Sequence, residues 1–452
     1  MTTHILRRLA PLALLALLLS ACNNTDSNGP SLEHDHDHED LHGRLLIASD
    51  QHDSLQVFDL DQNAFLDSLQ LDHPVSALYP SAGYRFALVL QRDTGSQPHQ
   101  VQAVDGGVWL HGDHAHSDPA QITSLRLQGT TPGHHQMFGD QATVFFDGGP
   151  VGSTRFAVFT DELLSRGQAL AVENLLAPHH GLALPRGDHL LASNPDRAAV
   201  RVMALHNDHF HDEGVLPESC PGLHGGGATA TASAFGCEDG VLLVKGHKPP
   251  FAAHKLPTAE RITQVAGHAE VAQLVAFATG NAVAYRVDPA TQQAQRFDWN
   301  QGAGTTRMQH RFSVSGNYFL VLDSDATLHI WSTRDWSAQG TLSLGSAGAV
   351  LSLATDADDR LHVLDVDQQQ LRRYHLAGAK PDTAEPVALP QPARHIVWTG
   401  VPAAHGHDHD HDHDHDHDHD HDHDHDHDHD HDHGHDHDHS HAPASGLSAL
   451  HF

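Results

Sequence analysis

The chain has 452 residues, with 58 acidic side chains against 25 basic ones, 48 histidines and a net charge of −33. Fifteen of the acids are aspartates of one C-terminal His-Asp run; without them the charge is still −18. So acidic a chain offers no basic surface to nucleic acid, and nucleic-acid partners are excluded.

At the N-terminus, Arg7 and Arg8 precede an apolar run from Leu9 to Leu19 and then Leu19-Ser20-Ala21-Cys22. The run is about half of the roughly 20 residues that span a bilayer. Residues 1–22 therefore read as a signal peptide with a lipobox, and Cys22 as the lipidated first residue of the mature chain. The alternative is an ordinary cleaved signal peptide in which Cys22 is incidental. Either way a periplasmic or other extracytoplasmic location is expected, with a lipid as the only membrane attachment. Residues 23–43 are polar, contain His34, His36 and His38 between carboxylates, and are expected to be disordered.

From residue 44 to residue 400 short β-branched, aromatic and Leu-rich runs alternate with Gly, Asp, Asn and Pro, which predicts an all-β fold. Runs such as Ala142 to Phe146, Phe156 to Thr160 and Tyr318 to Leu322 are expected strands, and Thr160 to Arg166 is the best short helix candidate. A histidine recurs at His135, His180, His224, His268 and His310, at spacings of 45, 44, 44 and 42 residues. Such a period, with about four strands in each unit, predicts the blades of a β-propeller. Further phases at His73, Val350 and His395 bring the count to eight blades, with seven as the alternative. The unit at His395 supplies a single strand before the tail. The N-terminal strands Leu45 to Ala48, Leu55 to Leu60 and Ala64 to Leu71 are expected to complete it, closing the ring by pairing the two ends of the chain.

Three groups of residues suit metal. The first blade carries an insertion with His111, Asp113, His114 and His116, the ligand types and number of a tetrahedral zinc site. The recurring histidines His135, His180, His224, His268 and His310 are read as lying just before the innermost strand of each blade. They are expected to converge at one mouth of the channel, with His134 and His179 as further ligands or their supports and the insertion loop reaching over to complete the sphere. Each taken singly reads rather as a hydrogen-bonded structural histidine that ties blades together, and only the ring as a whole points to metal. Finally, residues 401–452 are expected to be a disordered tail whose His-Asp alternation, represented by His407, His409 and His411, offers many weak sites. Imidazole with carboxylate favours zinc, with nickel or copper as alternatives. Cys220 and Cys237 are expected to form a disulfide, the alternative being a cysteine metal site with His224.

The run His111-Gly112-Asp113-His114, then His179-His180-Gly181, then Cys220 with Leu223-His224-Gly225 and Ala234-Phe235-Gly236-Cys237-Glu238-Asp239-Gly240-Val241 resembles the AztD-type periplasmic zinc chaperones. The resemblance covers about residues 34 to 400 and implies a propeller with a stable zinc site and a His-rich N-terminal segment. It also implies a partner, the solute-binding protein of a zinc ABC importer. The lipobox and the long His-Asp tail depart from that family. No nucleophile motif or cofactor fingerprint suggests an enzyme, so the expected role is a metallochaperone. A storage or buffering lipoprotein and a protein-interaction platform are the alternatives.

Overall fold

A computed structural model describes residues 41–92, 94–111, 114–149, 153–206, 209–382 and 384–402. Apart from one two-stranded hairpin, the described strands form eight antiparallel sheets in chain order, each a four-stranded meander or a variant of one. Blade one runs from Ala77–Pro80 to Gln121–Gln128, and blade two from Pro132–Phe138 to Leu170–Leu176. Blades three and four open on Ala183–Arg186 and Gly226–Ala228. Blades five, six and seven open on Ile262–Ala266, Arg307–Phe312 and Leu351–Thr355. Blade eight is composite: His395–Thr399 pairs antiparallel with Arg44–Ala48, which leads into Ser54–Asp59. The eight-bladed propeller closed by its two chain ends is thus borne out. The expected outer run Ala64 to Leu71 is divided into Ala64–Phe65 and Leu69–Gln70.

The apolar side chains show why the ring holds. Second and third strands such as Phe86–Gln91 and Gln100–Asp105 are buried throughout, because both faces of each blade lie against a neighbour. Phe86–Gln91 therefore reads as a nearly continuous apolar run, while Gln100–Asp105 interleaves its apolar residues with Gln100, Gln102 and Asp105, which are buried and hydrogen-bonded. Among the described residues the core divides into eight clusters, one between each adjacent pair of blades. Phe145, Phe156, Leu190 and Met203 lie between blades two and three, and Leu191, Val200, Phe235 and Leu242 between three and four. The last, with Ile47, Phe58, Leu364 and Leu371, joins blades seven and eight.

Among the described residues one short helix, Asp161–Ser165, follows the third strand of blade two, with Thr160 as its cap, accepting from the Leu163 amide. The insertion of blade one is itself a hairpin, Val108–His111 with His114–Ser117. Buried Arg44 holds its base, donating to the Gly106 carbonyl at 2.7 Å and to Ser117 Oγ at 2.9 Å while paired with Asp59 at 3.1 Å. Cys220 and Cys237 form a buried disulfide, as expected. No helix among the described residues is long and apolar enough to cross a membrane.

Candidate metal centre

In a meander, the connection entering the innermost strand and the one leaving the second strand emerge at the same end of the blade. His180 and His224 lie in such entries, before the innermost strands of blades three and four. His134 is the third residue of the innermost strand of blade two, and Asp147 follows that blade's second strand. Three neighbouring blades therefore deliver His134, His180 and His224 to one end, where a nitrogen of each lies within 4.8 Å of the others. Ring centroids are 4.6, 5.3 and 5.4 Å apart.

Hydrogen bonds prepare the rings for coordination. His180 Nδ1–H donates to Asp147 Oδ2 at 2.7 Å, and His224 Nδ1–H donates to the Thr263 carbonyl at 2.8 Å. In the neutral rings both Nε2 atoms then carry a lone pair, the arrangement in which a backbone or carboxylate acceptor fixes a metal-binding tautomer. His134 Nε2 lies 2.9 Å from His180 Nε2. Without an ion one of the pair must donate, and His180 is committed to donate through Nδ1, so His134 supplies the proton. Tetrahedral zinc with Zn–N bonds near 2.0–2.1 Å sets ligand nitrogens roughly 3.3 Å apart, so these two rings need to open by only about 0.4 Å.

The electrostatics separate the three. Burial, with His180 and His224 nearby, pushes His134 down to about 4. Burial also lowers His224, against its bond to Thr263. The Asp147 hydrogen bond raises His180, making it the first of the three to take up a proton as pH falls. Asp147 was not singled out from the sequence, where nothing in Phe146-Asp147-Gly148 marks it as facing a histidine thirty-three residues on. Replacing it by asparagine is expected to weaken zinc binding by about 10- to 100-fold, the usual cost of losing a carboxylate that orients a ligand ring. Competition titration against a chromophoric chelator measures this, and an unchanged affinity would show that Asp147 does not orient His180.

His224 is held by its backbone. Its amide donates to the Gly236 carbonyl at 3.0 Å, and the Leu223 amide to the Arg197 carbonyl at 2.8 Å. Four residues earlier, Cys220 is bonded to Cys237 at the end of the second strand of blade four. Gly181 beside His180 has no room for a Cβ, which would lie 2.2 Å from Ser193 Oγ and 2.6 Å from His179 Nε2. Opening the disulfide by Cys237→Ser should cost about 3 kcal/mol of stability for a loop of 17 residues. It should also weaken zinc binding, because the segment carrying His224 loses its anchor. Denaturant unfolding with and without zinc tests both, and equal zinc affinity in the variant would show that the backbone bonds alone suffice.

The other expected residues lie elsewhere. His135 points into the central cavity, of about 360 Å³, stacked on Tyr79 at 4.6 Å with Nε2–H donating to the Pro80 carbonyl at 3.1 Å. His310 also lines that cavity, its Nδ1 accepting from Arg307 at 2.9 Å. His268 follows the innermost strand of blade five instead of preceding it; Nε2 donates to the Val314 carbonyl at 3.2 Å and Nδ1 accepts from the Glu270 amide. Both nitrogens of His179 are engaged, with Ala177 and Ser193. The expected common phase is corrected: His180 and His224 precede their strands, His135 and His310 sit within theirs, and His268 comes after. Register shifts at Pro132/His135, Ile262/Gln264 and Arg307/Gln309 fall in the three blades whose histidines slip out of phase.

The insertion loop is also corrected. Its hairpin follows the third strand of blade one and so emerges at the opposite end from the triad; it does not reach over to complete that sphere. Its register opposes His111 to His114 and Trp109 to His116, which puts the three exposed histidines and the tryptophan on one face. Trp109 stacks on His116 at 4.7 Å. Asp113, Cys22, His34, His36, His38, His407, His409 and His411 lie outside the described residues.

No family model matches the chain. Over 233 residues it is 27% identical to the zinc chaperone AztD of Citrobacter koseri, a stretch that covers 49% of this chain and 52% of that protein. The chain thus spans about half the length of the curated relative it matches. The structure of apo AztD from Citrobacter koseri superimposes with a TM-score of 0.67 at 20% identity, covering 80% of this chain and 98% of that one. A second Citrobacter koseri AztD structure gives 0.66 at 21%, covering 79% and 97%. At these identities the structures carry the fold. With the sequence match they bear out the resemblance to the AztD-type zinc chaperones.

Proposed function

We propose that the chain is an extracytoplasmic zinc carrier, in which His134, His180 and His224 hold the ion between three blades and release it to the solute-binding protein of a zinc ABC importer. The observation that carries this reading is the convergence of three imidazoles, two of them with Nδ1–H committed to acceptors so that Nε2 faces a shared point. The donor set is that of zinc, with nickel and copper as competitors by affinity. The name of the Citrobacter koseri relative supports the choice of metal and of role. Three histidines with an open fourth position also suit a hydrolytic zinc centre. The carrier reading is preferred because the carboxylate beside the triad, Asp147, bonds His180 Nδ1 in the manner of a group that orients a ligand, and because the Citrobacter koseri relative is named a zinc chaperone. His180 is the exposed member, so ligand exchange can begin there. The signal peptide and the lipid on Cys22 belong to the same proposal and would hold the carrier near an importer. The histidine-rich segments at both ends would collect ions at high local concentration.

The test is transfer. Zinc-loaded protein should load an apo solute-binding protein faster than zinc dissociates spontaneously, with a chelator competing for free ion. Loading that the chelator abolishes, or that never exceeds the off-rate, would make the protein a zinc buffer and overturn directed delivery.

A further inference from the structure

Among the described residues three imidazoles crowd together at a second place, the outer hairpin of blade three, Val200–His206 with His209–Val215. The register opposes His206 to His209 and Ala204 to His211. Directly opposed residues share a face, as do residues two apart on a strand, so His206, His209 and His211 project from one side of the ribbon. All three are exposed. The ring of His211 lies 4.8 Å from that of His206 and 4.6 Å from that of His209, so His211 bridges the other two; unlike the triad, the three do not yet bring a nitrogen of each within 4.8 Å of the others, and closing on an ion takes a rotation of these exposed side chains.

The sequence here, His206-Asn207-Asp208-His209-Phe210-His211, repeats the spacing of His111-Gly112-Asp113-His114-Ala115-His116. Both lie at the end of the third strand of their blade, and in both the register places three histidines on one face. Exposed rings of this kind add nothing to a core, and their protonated forms repel one another when held close. Two such hairpins in one chain are hard to explain as solvated surface alone.

We propose that His206, His209 and His211 form a second metal site, for a borderline divalent ion of the zinc class, on the end of the propeller opposite the triad. Neutral imidazoles alone select zinc, copper, nickel or cobalt over calcium or magnesium. The three rings leave a fourth position to water. Lying in solvent at the outer edge of a blade, this site exchanges its ion faster than one built between blades. It stands whether or not the triad serves delivery.

Histidine footprinting of the full chain with diethyl pyrocarbonate, read peptide by peptide by mass spectrometry with and without zinc chloride, tests it site by site. Zinc should slow modification of His206, His209 and His211 together by about tenfold, since a ligated nitrogen no longer offers its lone pair. In His209→Ala the protection of His206 and His211 should vanish, while in His180→Ala it should persist. Absent protection overturns the proposal. So does protection of His206 and His211 that survives His209→Ala, which would mean no shared ion. Loss of protection in His180→Ala would overturn it too, by tracing the effect to the triad.

Discussion

Replacing His180 by alanine in a fragment spanning residues 41–402 is expected to lower zinc affinity by about 100-fold or more, beyond the 10- to 100-fold usual for an outer-sphere partner. The fragment retains every described strand, including the closing pair, so the ring stays complete. It also removes the terminal histidines that would otherwise mask the loss. The same result is expected for His134→Ala and His224→Ala. His135→Ala and His268→Ala should leave affinity nearly unchanged, because both rings are tied to backbone carbonyls away from the triad. A thermodynamic readout accompanies the titration. Zinc at 100 times the dissociation constant stabilises a folded chain by about 2.7 kcal/mol, and a 100-fold weaker site retains about 0.4 kcal/mol of that. The zinc-induced rise in melting temperature should therefore almost disappear in the variant. An equal loss of affinity at His135 would move the centre from the blade entries to the channel.

The second large effect is loss of stability in acid, independent of metal. Burial pushes His135 down to about 4 and His310 down to about 3, the latter helped by Arg307 and Arg311. Both stay neutral in the folded chain while an unfolded histidine protonates near 6.5. Between pH 6.5 and about 4 the unfolded state binds more protons, so the stability these rings contribute is complete above 6.5 and is lost as pH falls. Each ring keeps an edge toward the central cavity, which softens the effect to on the order of 2 kcal/mol apiece. His180 works with the opposite sign: its pKa is raised by Asp147, so it adds stability at low pH that disappears as pH rises through its folded value. Urea unfolding of zinc-free protein at pH 7, 5.5 and 4.5 should show the midpoint falling, and His310→Gln should flatten the slope. A midpoint that is level over that range would show that neither ring is held neutral by the fold.

Much of the architecture was legible in the sequence because the period that produces blades is a property of strand content and turn residues. The eight phases, the composite last blade and the Cys220–Cys237 bridge follow from spacing and order along the chain. The metal centre was less legible. His135 and His134 are adjacent, and which of them faces the blade entries depends on a register shift at Pro132/His135 that no residue type announces. His268 keeps the 44-residue interval yet lands beyond its strand, because the innermost strands of blades four and five begin only 36 residues apart, at Gly226 and Ile262. The blade-three hairpin was the reverse case: its pattern stood in plain view twice, and only the register showed that the spacing places three rings on one side.

The closing strand, His395–Thr399, is the last of the described strands to be synthesised. Until it arrives, Arg44–Ala48 at the start of the chain has a bare edge of amides and carbonyls, and the cluster joining blades seven and eight lacks Ile396 and Trp398. Blades one to seven can assemble in order of synthesis from neighbours already present, but blade eight cannot. The fold thus waits more than three hundred residues for its partner strand, and during that interval the N-terminal edge is the part most open to pairing with another chain.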